Sequence, residues 1–349
     1  MRIAYRSSLM PYLPVFIVSL AVALLATPLA SRLGARLGLL DPPVGRRRHP
    51  RRISRIGGIG LFAGFMGGAA LAWQLAPLSN DDDRLRLSGV LIGAGFVFAA
   101  GLLDDWREMG PGPQLMAQFV ASLIALSTIV FIERFNLPFF NEPVVLSWPL
   151  AAGLTVFWIM GMMNTVNWLD GLDGLAAGVG AIAALLFAVH SVKLGQKEIA
   201  LFPLALAGAC LGFLAFNFHP ARAFLGSAGA MVLGWGLATL SILTPARVAT
   251  ALLVMAIPIA DMAFQIFYRW RHGYSPARGD RGHLHYRLLD LGLSQRQIVV
   301  SYWLFCAVFG ALALLTSTRI FKLGAMVTLG IIVVGVLIVL SKRNPENRT

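Results

Sequence analysis

Charged side chains are scarce in this chain, at 13% of 349 residues against 57% hydrophobic. That balance excludes a soluble globular domain of this length and points to a protein with many membrane spans. Cysteine is scarcer still. Cys210 and Cys306 are the only two, and both fall in apolar runs, which excludes a disulfide framework. Strict alternation of polar and apolar residues is missing, and with it the signature of a β-barrel. No internal repeat or separate soluble segment is visible.

What remains is apolar and periodic. Hydropathy predicts an all-α, polytopic membrane protein, a single domain over 1–349 with about eleven spans. These fall near 11–30, 56–76, 87–103, 114–132, 149–163, 174–190, 199–216, 223–243, 248–267, 298–317 and 323–341. Each approaches the roughly 20 residues a helix needs to cross the hydrocarbon. The 36 glycines predict close helix packing. Taking the side of the 31–55 loop as inside gathers the loops 31–55, 104–113, 164–173, 217–222 and 268–297 there, with the tail. That side then holds 19 of the 29 Lys and Arg residues. The positive-inside rule puts the amino terminus outside and the carboxyl terminus in the cytoplasm. The net charge of +13 is read as orientation and contact with anionic lipid rather than nucleic-acid binding.

Most of the polar residues that break the apolar pattern fall on that inner side, whereas Asp81, Asp82 and Asp83 fall outside. Asp104 and Asp105 close the third span. Being adjacent on a helix, they point about 100° apart, so one can serve a cation while the other takes a proton. Asn164, Asn167, Asp170 and Asp173 recur every third residue after the fifth span, a slowly drifting stripe if helical. Gly171 and Gly174 loosen that segment and allow a ligand to approach the backbone. Oxygen donors of this kind suit Mg²⁺, with Mn²⁺ as an alternative, bridged to substrate phosphates. The basic runs Arg46-Arg47-Arg48-His49 and Arg278 to Arg287 supply a phosphate clamp. His283 and His285 lie two apart and do not share a helix face, which weakens a zinc reading. Carboxylates, a hard cation and a basic clamp beside a membrane indicate diphosphate chemistry on a lipid-linked substrate.

With these motifs in order, the chain resembles the polyprenyl-phosphate N-acetylhexosaminyl-1-phosphate transferases, relatives of the phospho-N-acetylmuramoyl-pentapeptide transferases. The resemblance runs from Asp41 to Leu291. It takes in Asp41-Pro with Arg-Arg-Arg-His, Arg55-Ile-Gly57-Gly58, Gly101-Leu-Leu-Asp104-Asp105 and Asn164-x-x-Asn167-x-x-Asp170-Gly-x-Asp173-Gly174. Further on come Asn217-Phe-x-Pro220, Phe224-Leu-Gly226, Pro258-Ile-x-Asp261 and Asp280-Arg281-Gly-His283-Leu-His285-x-Arg287. The resemblance implies transfer of a sugar 1-phosphate from a UDP-N-acetylhexosamine, GlcNAc by the 268–297 pattern, to polyprenyl phosphate at the cytoplasmic face of a bacterial plasma membrane, with release of UMP. A homodimer is compatible with it.

It also implies roles. Asp104 and Asp105 serve the lipid phosphate, Asn167 binds Mg²⁺, and Asp170 and Asp173 lie near the nucleotide and diphosphate. Leu172 and Phe224 line a uridine pocket. Arg48, His49, Asn164, Gly171, His283, His285 and Arg287 contact phosphate or sugar. One position departs: Ser227 stands where the family carries a metal-binding Asp, and a hydroxyl is a poorer ligand for a hard cation. Tyr286 stands where a His is common.

Three rival readings remain. A non-catalytic relative that binds lipid phosphate or UDP-sugar draws support from Ser227. A CDP-alcohol phosphotransferase would also begin Asp-x-x-Asp-Gly, but the Arg that should follow is absent, and no Asp occurs between Asp173 and Asp261. A transporter would carry its acids in mid-span, where only Asp261 lies.

Overall fold

The computed structural model describes residues 11–41, 52–76, 78, 80–135, 142–243, 245–275, 281–316 and 318–343. Arg46, Arg47, Arg48, His49, Arg278 and Asp280 lie outside the described residues, so the expected clamp of Arg48 and His49 has no structural description. The described residues are almost wholly helical. In chain order the helices are α1 (Tyr12–Arg36), α2 (Gly58–Leu75), α3 (Asp81–Arg107), α4 (Pro111–Ser127), α5 (Trp148–Leu169), α6 (Leu175–Lys193) and α7 (Leu201–Asn217). They continue as α8 (Gly226–Ile242), α9 (Pro245–Val254), α10 (Ala256–Arg271), α11 (Leu284–Asp290), α12 (Gln295–Leu315) and α13 (Arg319–Arg343).

Each of the eleven apolar runs carries a helix, the ninth as α9 and α10. Among the described residues seven helices are long and apolar enough to cross a membrane, and an eighth span results if α9 and α10, bent by 76° at their junction, count as one. Helices α7 and α8, each of 17 residues, are apolar but shorter. Two small antiparallel ribbons were not expected. β1 (Leu40–Asp41) pairs with β2 (Ile53–Ser54), and β3 (Arg134–Phe135) pairs with β4 (Val144–Val145).

Local chemistry explains the helix ends. Asn80 caps α3 by accepting from the Asp82 amide at 3.0 Å, and Asp81, Asp82 and Asp83 sit in the first turn where the helix dipole favours anions. Ser294 and Gln297 form a reciprocal capping box at the start of α12. At the other end of α3, Glu108 takes the left-handed conformation, φ +49°, and returns its amide to the Asp104 carbonyl at 2.8 Å.

Helix α8 is the axis of the molecule. From Ala228 to Ile242 every residue is buried. Small residues let its neighbours close on it. Gly93 of α3 faces the ring of Trp235, whose indole N–H donates to the Val90 carbonyl at 2.8 Å. Gly101 lies against the backbone of Ala228, and Gly234 against that of Met163 on α5. A second small-residue seam joins α1, α2 and α7: Gly64 of α2 packs on the Ser19 carbonyl and Ala23, with Ala209 of α7 close by. Close backbone approach of this kind is what replaces the hydrophobic driving force between helices in lipid. Outlying helices α1 and α13 keep broad exposed apolar faces, among them Leu25, Leu29, Ile331 and Ile332.

Candidate active site

The amino end of α8 meets the carboxyl ends of α3 and α5. There a cavity of about 320 Å³ is lined by Asp41, Arg55, Asp104, Asp105, Glu108, Met109, Asn167, Asp170, Phe224, Gly226 and Ser227. Its walls come from segments far apart in sequence, and two local features bring them together. Gly226 has φ +67°, and its α-carbon lies so close to the Arg55 carbonyl and the Asp105 carboxylate that a side chain would not fit. The β1–β2 ribbon then fixes Arg55, whose amide donates to the Leu39 carbonyl at 3.1 Å.

Asp104 and Asp105 diverge as adjacent helical residues must. Asp105 accepts from the amides of Ser227 at 2.7 Å and Ala228 at 3.0 Å, one on each oxygen. It caps α8 from a distance in sequence of over a hundred residues, satisfying two of that helix's orphan donors. Asp104 is 5% exposed and accepts from Gln114 of α4 at 2.8 Å through Oδ2. Its other oxygen, Oδ1, is buried with no hydrogen-bond partner. A buried carboxylate oxygen left unsatisfied is costly, about 1–3 kcal/mol or more, and calls for a ligand.

The expected stripe from Asn164 to Asp173 fans out instead. Helix α5 ends at Leu169 with Asp170 as its cap, and each three-residue step falls about 60° short of a full turn. Asn167 and Asp170 face the cavity. Asn164 turns away to Gln118 of α4, donating at 2.6 Å and accepting at 3.4 Å. Asp173 is not among the cavity-lining residues. Its Oδ2 engages His219 at 2.8 Å and the Ala221 amide at 3.1 Å, which straps the turn to the segment after α7. Leu172 is buried in the core and Phe224 lines the cavity, so the pair expected around a uridine is split. Gly171 does permit close approach, but of His285 and Tyr286, whose hydroxyl donates to the Gly171 carbonyl at 3.3 Å.

The histidine segment forms a separate buried cluster. Asp261 of α10 accepts from the Leu284 amide at 3.1 Å and pairs with His283 Nδ1 at 2.9 Å. Arg269, 1% exposed, reaches His283 Nε2 at 3.4 Å and lies over the Trp168 ring at 5.1 Å. The rings of His283 and His285 are nearly parallel, 5.7 Å apart. Arg287 is directed to the carbonyls of Gly282 and, at 3.3 Å, Leu337 of α13. None of these side chains is among the cavity-lining residues.

Arg55 also lines the cavity, although reading motifs one at a time gave it no role. Its Nε bonds Asp41 at 3.1 Å and its Nη1 bonds Glu108. Burial works against its charge, but the hydrogen bond and charge of Glu108 and those of Asp41 outweigh that and push its pKa above the ordinary value. Asp41 and Arg55 both stood in quoted motifs, whereas nothing in sequence marked Glu108. Among the described residues no three His, Cys, Asp or Glu side chains converge as a protein-only metal cage. Asn167 and Asp170, which line the cavity together with Asp104, instead suit a hard cation that keeps waters and shares substrate oxygens.

Residues 87–245 match the model of glycosyl transferase family 4. A Bacillus subtilis protein named "Probable undecaprenyl-phosphate N-acetylglucosaminyl 1-phosphate transferase" is 31% identical over 93% of this chain and 88% of its own length. The chain belongs to this family of polyprenyl-phosphate sugar-1-phosphate transferases. A Mycobacterium tuberculosis decaprenyl-phosphate N-acetylglucosaminephosphotransferase is 32% identical over 95% of this chain and 91% of its own. The Salmonella typhi undecaprenyl-phosphate alpha-N-acetylglucosaminyl 1-phosphate transferase is 28% identical over 80% and 77%. The cavity lies where three membrane-capable or apolar helices of this transferase meet.

Proposed function

We propose that the chain transfers N-acetylglucosamine 1-phosphate from UDP-N-acetylglucosamine to polyprenyl phosphate, undecaprenyl phosphate in bacteria, and releases UMP. The observation that carries this is the buried, unbonded Oδ1 of Asp104 in a cavity shared with Asn167, Asp170 and Arg55. A lipid-phosphate oxygen forms a bond to the sugar-bearing phosphorus, the phosphoanhydride P–O bond breaks, and UMP leaves with its electron pair. Asp104 Oδ1 would take the proton of the lipid phosphate. Asp105, committed to the α8 amides, would hold the helix end and Ser227 in place. Phe224 gives an apolar wall for a base or sugar face. Asn167 and Asp170, which line the same cavity, would hold Mg²⁺, or Mn²⁺ in its place. When bound, that ion neutralises charge on the phosphoryl oxygens.

The setting in this reading is the bacterial plasma membrane, crossed about eleven times, with the amino terminus outside and the cavity and carboxyl terminus on the cytoplasmic face. Helices of 17 residues reach about 26 Å, slightly short of the ~30 Å core. Enclosure of α8 by other helices relieves it of matching the lipid. A homodimer is compatible with this arrangement.

UMP release from UDP-N-acetylglucosamine with polyprenyl phosphate and Mg²⁺ tests the proposal, with other UDP-sugars tried one at a time. Ser227 favours a second reading, a relative that binds these substrates without turning them over, because this cavity-lining position carries a hydroxyl in place of a carboxylate, and both its hydroxyl and its amide are engaged with Asp105. Native protein that is silent while Ser227→Asp releases UMP would establish the second reading and end the first.

A further inference from the structure

Arg55 is the one basic side chain lining the cavity among the described residues, and its position is over-determined on the backbone side. Its amide belongs to the β1–β2 corner, and its carbonyl lies against Gly226. The guanidinium end is held by two carboxylates of different kinds. Asp41, on β1, has a side chain 24% exposed and keeps its 3.1 Å contact with Nε within the wall. Glu108 projects from the left-handed cap of α3 with its side chain 70% exposed, and takes Nη1. Each carboxylate takes one nitrogen, so with Asp41 on Nε the Nη1–Nη2 edge is what a phosphate would take bidentately once Glu108 leaves Nη1. The outer carboxylate is the weak one, because an exposed pair is screened and contributes little.

We propose that Arg55 binds a phosphate group of the substrates in this cavity and that Glu108 is an intramolecular stand-in for that phosphate, displaced when it arrives. The inference rests on the transferase reading for the identity of the anion, which is either the donor's diphosphate or the lipid's monophosphate. Asp41 keeps Nε oriented in both states, so the arginine does not search for its ligand. Glu108, being anionic at the mouth, also repels the incoming phosphate until the exchange is made. Removing the Glu108 carboxylate then tightens anion binding, whereas removing the guanidinium weakens it.

The test is equilibrium binding to the full-length protein in nanodiscs. UDP-N-acetylglucosamine, undecaprenyl phosphate and inorganic pyrophosphate are titrated separately against native protein, Glu108→Gln, Arg55→Gln and the double variant. Glu108→Gly is measured as well, since glycine accepts the left-handed backbone and keeps the fold. The expected result is tighter binding of one natural substrate by about twofold to fivefold, the worth of an exposed ion pair, in both Glu108 variants. Arg55→Gln should weaken the same substrate by about tenfold or more, as loss of a charge-assisted contact does. The double variant should show no gain from removing Glu108. The substrate that responds identifies the phosphate Arg55 holds. Unchanged or weaker binding in the Glu108 variants, or a gain that survives without Arg55, overturns the proposal. Coupled binding without UMP release would sink the transfer reading and leave this one standing.

Discussion

Two buried polar clusters lie on either side of the turn after α5, and they differ in how their atoms are satisfied. In the cluster of Asp261, His283 and Arg269, both oxygens of Asp261 have donors, from His283 and the Leu284 amide. Arg269 spreads its charge over His283 and the Trp168 face. In the cavity, Asp104 leaves one oxygen unbonded although it is equally buried. Similar burial with opposite satisfaction separates two tasks. A completed network holds α10 and α11 on the turn, whereas an incomplete one keeps an oxygen ready for a ligand.

The comparison breaks most sharply at Asp104. Asp104→Asn keeps the Gln114 contact within reach and leaves the fold in place, but removes the basic oxygen. UMP release should fall by about 10²- to 10⁴-fold, while binding of UDP-N-acetylglucosamine is retained. Normal turnover in this variant would remove Asp104 from the chemistry. The other cluster should answer in stability rather than in rate. Asp261→Ala leaves two buried donors without an acceptor, at about 1–3 kcal/mol each. Thermal unfolding in detergent should drop accordingly, and the fraction still folded should bind UDP-N-acetylglucosamine as native protein does. An unaltered midpoint would mean the network is not what fixes α11.

Asp105 stands between the two cases, and its variant sharpens the distinction. It lines the cavity, yet its two oxygens are taken by the Ser227 and Ala228 amides. Asp105→Ala should cost about 0.5–2 kcal/mol, as loss of a helix cap does. It should also lower turnover through displacement of Ser227 and Gly226, and Asp105→Asn, which restores one acceptor, should recover part of both. A large loss of rate with no change in unfolding would instead make Asp105 a second reacting carboxylate.

The long helices were legible because each is an apolar run, although α3 begins at Asp81, ahead of the run near 87–103, and the short polar helix α11 was not foreseen. The pairing of Asp104 with Asn167 and Asp170 was legible as well, since each closes a helix on the same side. Hidden from the sequence was the direction of each side chain once the helix ended. Asn164, Asp173, His283 and Arg287 carry the right chemistry, but tertiary partners claim them: Gln118, His219, Asp261 and the Gly282 carbonyl. Periodicity cannot announce a partner supplied by another helix. Glu108 was missed for the converse reason, since a lone exposed acid at a helix end looks like solvation until Arg55 is seen beside it.

Removing both members of the Asn164–Gln118 pair gives the smallest effect and the finest test of satisfaction against function. Asn164 belongs to the same sequence cluster as Asn167, three residues away, but its carboxamide is paired with Gln118 and the Met160 carbonyl, at 2.8 Å for the latter. Asn164→Leu alone strands Gln118, 1% exposed, and should cost about 1–3 kcal/mol. Adding Gln118→Leu removes both polar partners, and the double variant should return to within about 1 kcal/mol of native stability. If the pair is only structural, binding of UDP-N-acetylglucosamine by the double variant should match native protein. A double variant that folds as well as native but loses that binding would bring Asn164 back into the site and undo the distinction between satisfied and unsatisfied polar groups on which the comparison rests.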